Sequence, residues 1–178
     1  MGNEYLSVGL KVALAAASGF CCWLVWWKNL FDAERAFAFY GLSGLLFAAG
    51  VLFPYLRRDR FFWHRCLGLI AISVLSYYSA INFGIGLGGW RGFGPAPEGF
   101  VTGSLVGAAI VLTGARLLIP LKHSVALVVT GLVAAIIGGF GFVLVADDRY
   151  YLSFMLWHSV MTLAIFSAET WPLPIGRT

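Results

Sequence analysis

The chain has 178 residues, of which 60% are hydrophobic and only 11% charged, with a net charge of +4 and a mean hydropathy of +0.86. Soluble domains carry about 25% charged residues, so the composition excludes a water-soluble globular domain and specifies an all-α, polytopic membrane protein. Four of the twelve basic residues sit in one short loop. That excess reads as a bias of loop charge toward one membrane face, so the lipid bilayer is an expected partner and nucleic acid is not.

A helix needs about 20 apolar residues to span a bilayer. Six segments meet this, at 7–27, 36–56, 66–88, 100–120, 124–145 and 150–170. Their connections are short, so residues 1–178 form a single six-helix transmembrane bundle. In lipid, helices associate where small residues let backbones approach. The first segment carries Gly9, Ala13, Ala17 and Cys21 at every fourth position, which predicts a packing strip. Cys22 and Cys66, like Cys21, lie in apolar runs without metal-binding spacing and read as small apolar filler.

The second segment ends at Pro54, where a loop places Arg57, Arg58, Arg60 and Arg65 beside the membrane. These four residues anchor the topology and can meet anionic headgroups. The third segment carries a strip of Ser76, Ala80, Gly84 and Gly88 together with Tyr77, Tyr78 and Asn82. It runs into a glycine- and proline-rich connector spanning 84–99. Strips follow on the fourth segment, at Gly99, Gly103 and Gly107, and on the fifth, at Gly131, Ala135 and Gly139. The sixth is rich in large residues, among them Phe154, Met155, Trp157 and Phe166, and is expected to face lipid or another chain.

Lys and Arg divide unevenly between the two faces. Lys11, Arg57, Arg58, Arg60, Arg65, Arg116, Lys122 and Arg177 fall on the N-terminal side, while Lys28, Arg35, Arg91 and Arg149 fall on the other. The positive-inside rule then puts both termini in the cytoplasm and the protein in a cell (inner) membrane. Trp26, Trp27 and Trp90 mark the outer interface, and Trp63 and Trp171 the inner one. Lys11, Arg116 and Glu169 lie near the cytoplasmic end, where Glu169 can pair with either base as a structural clamp. No carboxylate falls at mid-depth, which argues against proton- or sodium-coupled transport.

His158 is the polar residue that stands out, about 12 Å into the sixth helix at 1.5 Å per residue. Tyr78, Asn82 and Ser104 lie at comparable depth, and Tyr77 is counted with them. With Ser159 and Thr162 they predict a polar cluster in the outer half of the bundle. Zinc needs three or four convergent ligands and a bis-histidine haem needs two facing histidines. His64 and His123 are placed at the opposite surface, so neither a metal nor another cofactor is expected.

Ser104 at the start of the fourth helix and His158 in the sixth resemble the layout of rhomboid intramembrane proteases. That resemblance implies a serine nucleophile with a histidine base. It covers two positions and the helix count. The family's Gly-x-Ser-Gly stands here as Thr102-Gly-Ser-Leu at Ser104, while Gly41-Leu-Ser-Gly44 fits it in the second helix, and no His-x-x-x-Asn occurs.

Three functions follow from these readings. The first is a non-enzymatic membrane subunit that packs with other membrane chains or with itself as a homo-oligomer. The second is a small oligomeric channel or facilitator for a neutral solute. The third is an intramembrane hydrolase using Ser104 and His158.

Overall fold

The structure, a computed structural model, describes residues 2–29, 36–56, 59–88, 90–91, 94–95, 97–145 and 149–170. Helix α1 spans Gly2–Asn29 and α2 spans Ala36–Phe47. Helices α3 (Phe62–Gly88), α4 (Pro97–Leu118), α5 (Ser124–Leu144) and α6 (Tyr150–Thr170) follow. A two-residue ladder joins α3 to α4, with β1 (Trp90–Arg91) antiparallel to β2 (Gly94–Pro95) and Trp90 opposite Pro95. Apart from this ladder and short turns at 56, 59–61, 119–123 and 145, the described residues are helical. Five helices are long and apolar enough to cross a bilayer, and the second expected span is a shorter apolar stretch, Tyr40–Tyr55. The chain is thus a multi-pass membrane protein.

The second span is irregular for a local reason. After Phe47 it widens into a π turn, Ala48–Leu52, then tightens into a 3-10 turn, Phe53–Tyr55. Pro54 has no N–H for the carbonyl of Gly50, and in a regular helix its ring would strike that carbonyl. A wide turn moves the carbonyl aside. Pro120 similarly ends α4. In the short turn that follows, the His123 N–H donates to the Ala168 carbonyl at 3.1 Å, which ties the α4–α5 connection to the end of α6.

The helices form a ring in chain order. Each packs on its sequence neighbours, α6 closes back on α1, and the π turn reaches α1, α3 and α6. The most extensive contact joins α3 and α4, and the predicted strips explain it. A Cβ on Gly84 would lie 2.8 Å from the Gly99 carbonyl oxygen, and one on Gly103 would strike the Ala80 carbonyl. Gly107 faces Ala80 and Ser76, whose hydroxyl donates to the Gly107 carbonyl at 2.9 Å. Strips of one helix here meet strips of the next. The fifth-helix strip also faces α4, with Gly131 against Leu112 and Gly139 against Val101 and Ser104.

Two expectations are overturned. The strip Gly9, Ala13, Ala17 and Cys21 lies on the exposed face of α1, and nothing stands within 4 Å of where a Gly9 Cβ would be. The buried stripe is Ala15, Ser18, Gly19 and Cys22, with Gly19 backed onto the α6 main chain at Phe154. A four-residue spacing fixes a face of a helix but not which face turns inward. The sixth helix, expected at the periphery, is pressed into the bundle: Phe154, Trp157, His158, Met161, Ile165 and Ala168 are all buried. Its large side chains fill the space that glycines leave on its neighbours, as Trp157 does over Gly138.

The expected clamp forms between Lys11 and Glu169 at 3.5 Å, and the Lys11 ammonium also stands 4.0 Å from the centre of the Tyr55 ring. Arg65 pairs with Asp59 at 3.0 Å, and Arg60 lies over the Phe61 ring. Arg57 and Arg58 fall outside the described residues. Trp63 is 74% exposed, as an interfacial residue should be. Trp26 is not, because it turns inward and meets Tyr150 edge-on.

Candidate functional site

His158 is placed by the inward stripe of α6, where Phe154, Trp157, Met161, Thr162 and Ile165 recur at helical spacing. It is fully buried. Its Nδ1 lies 2.7 Å from the Ser18 Oγ of α1, and its Nε2 lies 2.6 Å from the Tyr77 hydroxyl of α3. The partners fix the tautomer. The Ser18 hydroxyl donates to the Ala15 carbonyl at 2.9 Å, so toward the ring its oxygen accepts from Nδ1–H. Nε2 then carries the lone pair and accepts from the Tyr77 O–H. A directed chain runs Tyr77, His158, Ser18, Ala15 carbonyl. Phe47, the last residue of α2, closes the site edge-on to the imidazole at 4.8 Å. One side chain thereby joins four helices.

The π turn supports this arrangement from the side. A Cβ on Gly50 would overlap the Ser18 side chain and lie 3.1 Å from the Leu14 carbonyl oxygen. The turn therefore backs onto Ser18 and holds it against the ring. Cys22, one turn beyond Ser18, directs its thiol at the Ser43 carbonyl at 3.6 Å. The hydroxyls of Ser43, Ser73 and Thr162 are buried nearby in sequence register and make no hydrogen bond. A polar seam thus runs through an otherwise apolar core that includes Phe47, Val51, Leu52, Leu69, Met161 and Ile165.

Beside the seam is a cavity of about 130 Å³ to which all six helices contribute. Trp26, Phe100, Phe142 and Tyr150 line it at the end of the bundle where α4 and α6 begin. Phe47, Ser76, Tyr77 and Trp157 line it at mid-bundle. The other half is filled by Leu52, Leu69, Met161 and Ile165, each fully buried. The cavity is therefore blind. No charged residue lines it, and its hydroxyls are committed, Ser76 to Gly107 and Ser104 to the Ala135 carbonyl at 2.6 Å.

The structure brings together only part of the predicted cluster. Tyr77 and His158 meet, but Tyr78 and Asn82, which depth placed level with the histidine, do not join them. Tyr78 is 51% exposed on the outer face of α3, edge-on to Tyr40, and the Asn82 amide donates to the Tyr78 carbonyl at 2.7 Å. Adjacent positions on a helix point about 100° apart, so Tyr77 and Tyr78 cannot both face inward. Ser159 is half-buried one position beyond the histidine. Ser104 shares the cavity wall with Tyr77, yet its proton goes to Ala135 while both His158 nitrogens are engaged by Ser18 and Tyr77. The nucleophile–base pair is not formed. We expect no fluorophosphonate labelling of the purified protein; labelling abolished by Ser104→Ala would reverse this conclusion.

Ser18 is the residue that sequence reasoning missed. It is the one hydroxyl between Gly9 and Trp27, and an isolated polar group deep in an apolar helix is a signal for a partner. Among the described residues no three His, Cys, Asp or Glu side chains gather in a metal-binding arrangement. No protein-family model matches the chain, and no curated protein or solved structure matches it either.

Proposed function

We propose that the protein is a non-enzymatic membrane subunit, a compact six-helix bundle that works by packing with other membrane chains or with copies of itself. One observation carries this reading. Buried polar side chains tie helix to helix: His158 with Ser18 of α1 and Tyr77 of α3, Ser76 to α4, Ser104 to α5, and Ser153 to the Gly141 carbonyl of α5, while the hydroxyls of Ser43, Ser73 and Thr162 are left without a hydrogen-bond partner among the described residues. A catalytic site keeps a nucleophile and a base free to meet a substrate. This interior uses the same residue types as fasteners. The basic end, where α1 begins and α6 ends, faces the cytoplasm on this reading, in keeping with the positive-inside bias.

The test is purification of the full chain from its native membrane in mild detergent, with cross-linking before extraction. A defined co-purifying membrane chain, or a homo-oligomer, is the expected product. An isolated monomer of 19.4 kDa with no cross-linked species sinks the proposal.

The cavity favours a second reading, a site that holds or passes a small neutral solute. Its walls are aromatic and uncharged, as such pockets commonly are, and its size is close to that of cavities that accept one benzene ring, about 150 Å³. Because it ends at Tyr77 and Phe47, liposomes containing only this protein should show no steady ion conductance. Sustained conductance would favour a channel.

A further inference from the structure

The α4–α5 face carries a feature that the central site does not use. An open groove of about 420 Å³ runs along it, lying between α4 and α5 on the outside of the ring. Its floor is hollow because Ala108, Gly131 and Ala135 present almost no side chain there. Leu117, Val128 and Leu132 form the rims and are 77%, 65% and 53% exposed. In a membrane-spanning bundle those rims face hydrocarbon, so the groove is dressed for a chain and not for water.

One end of the groove is cationic. Arg116 and Ser124 line it there, and the Arg116 Nε donates to the Ser124 Oγ at 2.6 Å. That bond fixes the guanidinium and leaves both Nη groups to an anion. Lys122, two residues before Ser124, is exposed at the same turn. Neither base pairs with a carboxylate among the described residues. A fixed guanidinium without a counter-ion at the end of an apolar groove matches one class of molecule, with a phosphate at one end and a hydrocarbon chain at the other. We propose that this groove is a binding site for an anionic phospholipid, its phosphodiester on Arg116 and one acyl chain along α4 and α5. Positions 105–117 give the α4 side a length of about 18 Å at 1.5 Å per residue, which suits a single acyl chain within one leaflet.

Native mass spectrometry of the full chain in detergent tests it, with phosphatidylglycerol and phosphatidylcholine of matched chains as probes. The expected result is retention of one phosphatidylglycerol at least fivefold over phosphatidylcholine. Arg116→Gln should remove the preference, and Ala109→Phe, at an exposed residue of the groove, should reduce retention of both lipids. Both sites are exposed, so thermal unfolding of the variants should match the parent and will exclude misfolding as the cause. Equal retention of the two lipids by the parent overturns the proposal. So does loss in Arg116→Gln with none in Ala109→Phe, since a headgroup site would then exist without its groove.

Discussion

Replacing His158 with alanine should destabilise the protein by about 3 kcal/mol, a fall of roughly 6–12 °C in the detergent melting temperature. The substitution removes a fully buried ring, leaves a cavity against Phe47, and takes the acceptor from the Tyr77 hydroxyl and the donor to the Ser18 oxygen, whose own proton stays on the Ala15 carbonyl. Tyr77→Phe keeps the ring and loses one hydrogen bond, which within a membrane costs about 0.6–1.7 kcal/mol. Ser18→Ala should fall in the same range. The order of effects is the sharper test. If His158 works as a fastener, the His158→Ala, Tyr77→Phe double variant should cost less than the sum of the two singles, because both remove the same bond. A His158→Ala protein that melts within a degree of the parent would show that the ring is passive filler.

The second large effect is expected at the α3–α4 crossing. Gly103→Leu should abolish recovery of folded protein, and Gly103→Ala should cost roughly 1–3 kcal/mol. The added Cβ meets the Ala80 main chain, which is part of a helix and cannot swing aside as a flexible side chain can. The helices must separate, and separation breaks the Ser76 bond to Gly107 and opens the Gly84 contact with Gly99 as well. Gly9→Leu and Gly41→Leu provide the control, because nothing stands within 4 Å of either new Cβ. Both should stay within about 0.5 kcal/mol of the parent. Equal losses in all four variants would sink the close-packing account, since replacing a helical glycine with alanine or leucine raises helix propensity and gives no other reason for a loss at Gly9 or Gly41.

These predictions show what the sequence carried and where it stopped. Helix number, order and approximate ends follow from apolar length, and α6 begins and ends at 150 and 170 as the run of side chains implies. The close faces of α3, α4 and α5 follow from glycine spacing, since a wide gap between backbones would waste a residue that has nothing else to offer a membrane helix. The inward face of α1 does not follow. Gly9-Ala13-Ala17-Cys21 and Ala15-Ser18-Gly19-Cys22 are both small-residue stripes, and only the partner decides between them. Large residues misled in the opposite direction: in α6 they fill hollows on neighbouring helices that no single-helix reading can see. His158 stood out in the sequence because polar groups are costly in lipid, whereas depth pointed to Tyr78 and not to its neighbour Tyr77, which makes the contact. The Ser104–His158 pair that the rhomboid-like layout implies is not formed in this structure, because depth alone does not determine rotation and Ser104 turns to α5.

The fastener at His158 has a consequence for how the protein is made. Ser18 and His158 are 140 residues apart in sequence, and Tyr77 and His158 are 81 apart. At synthesis rates of about 5–20 residues per second, Ser18 is in the nascent chain for on the order of ten seconds before its partner exists. The glycine contact between α3 and α4 needs only neighbouring helices and can close early. The Ser18–His158–Tyr77 chain closes last, after the sixth helix has entered. Until the sixth helix is made, the Ser18 and Tyr77 hydroxyls lack the imidazole that joins them in the finished bundle.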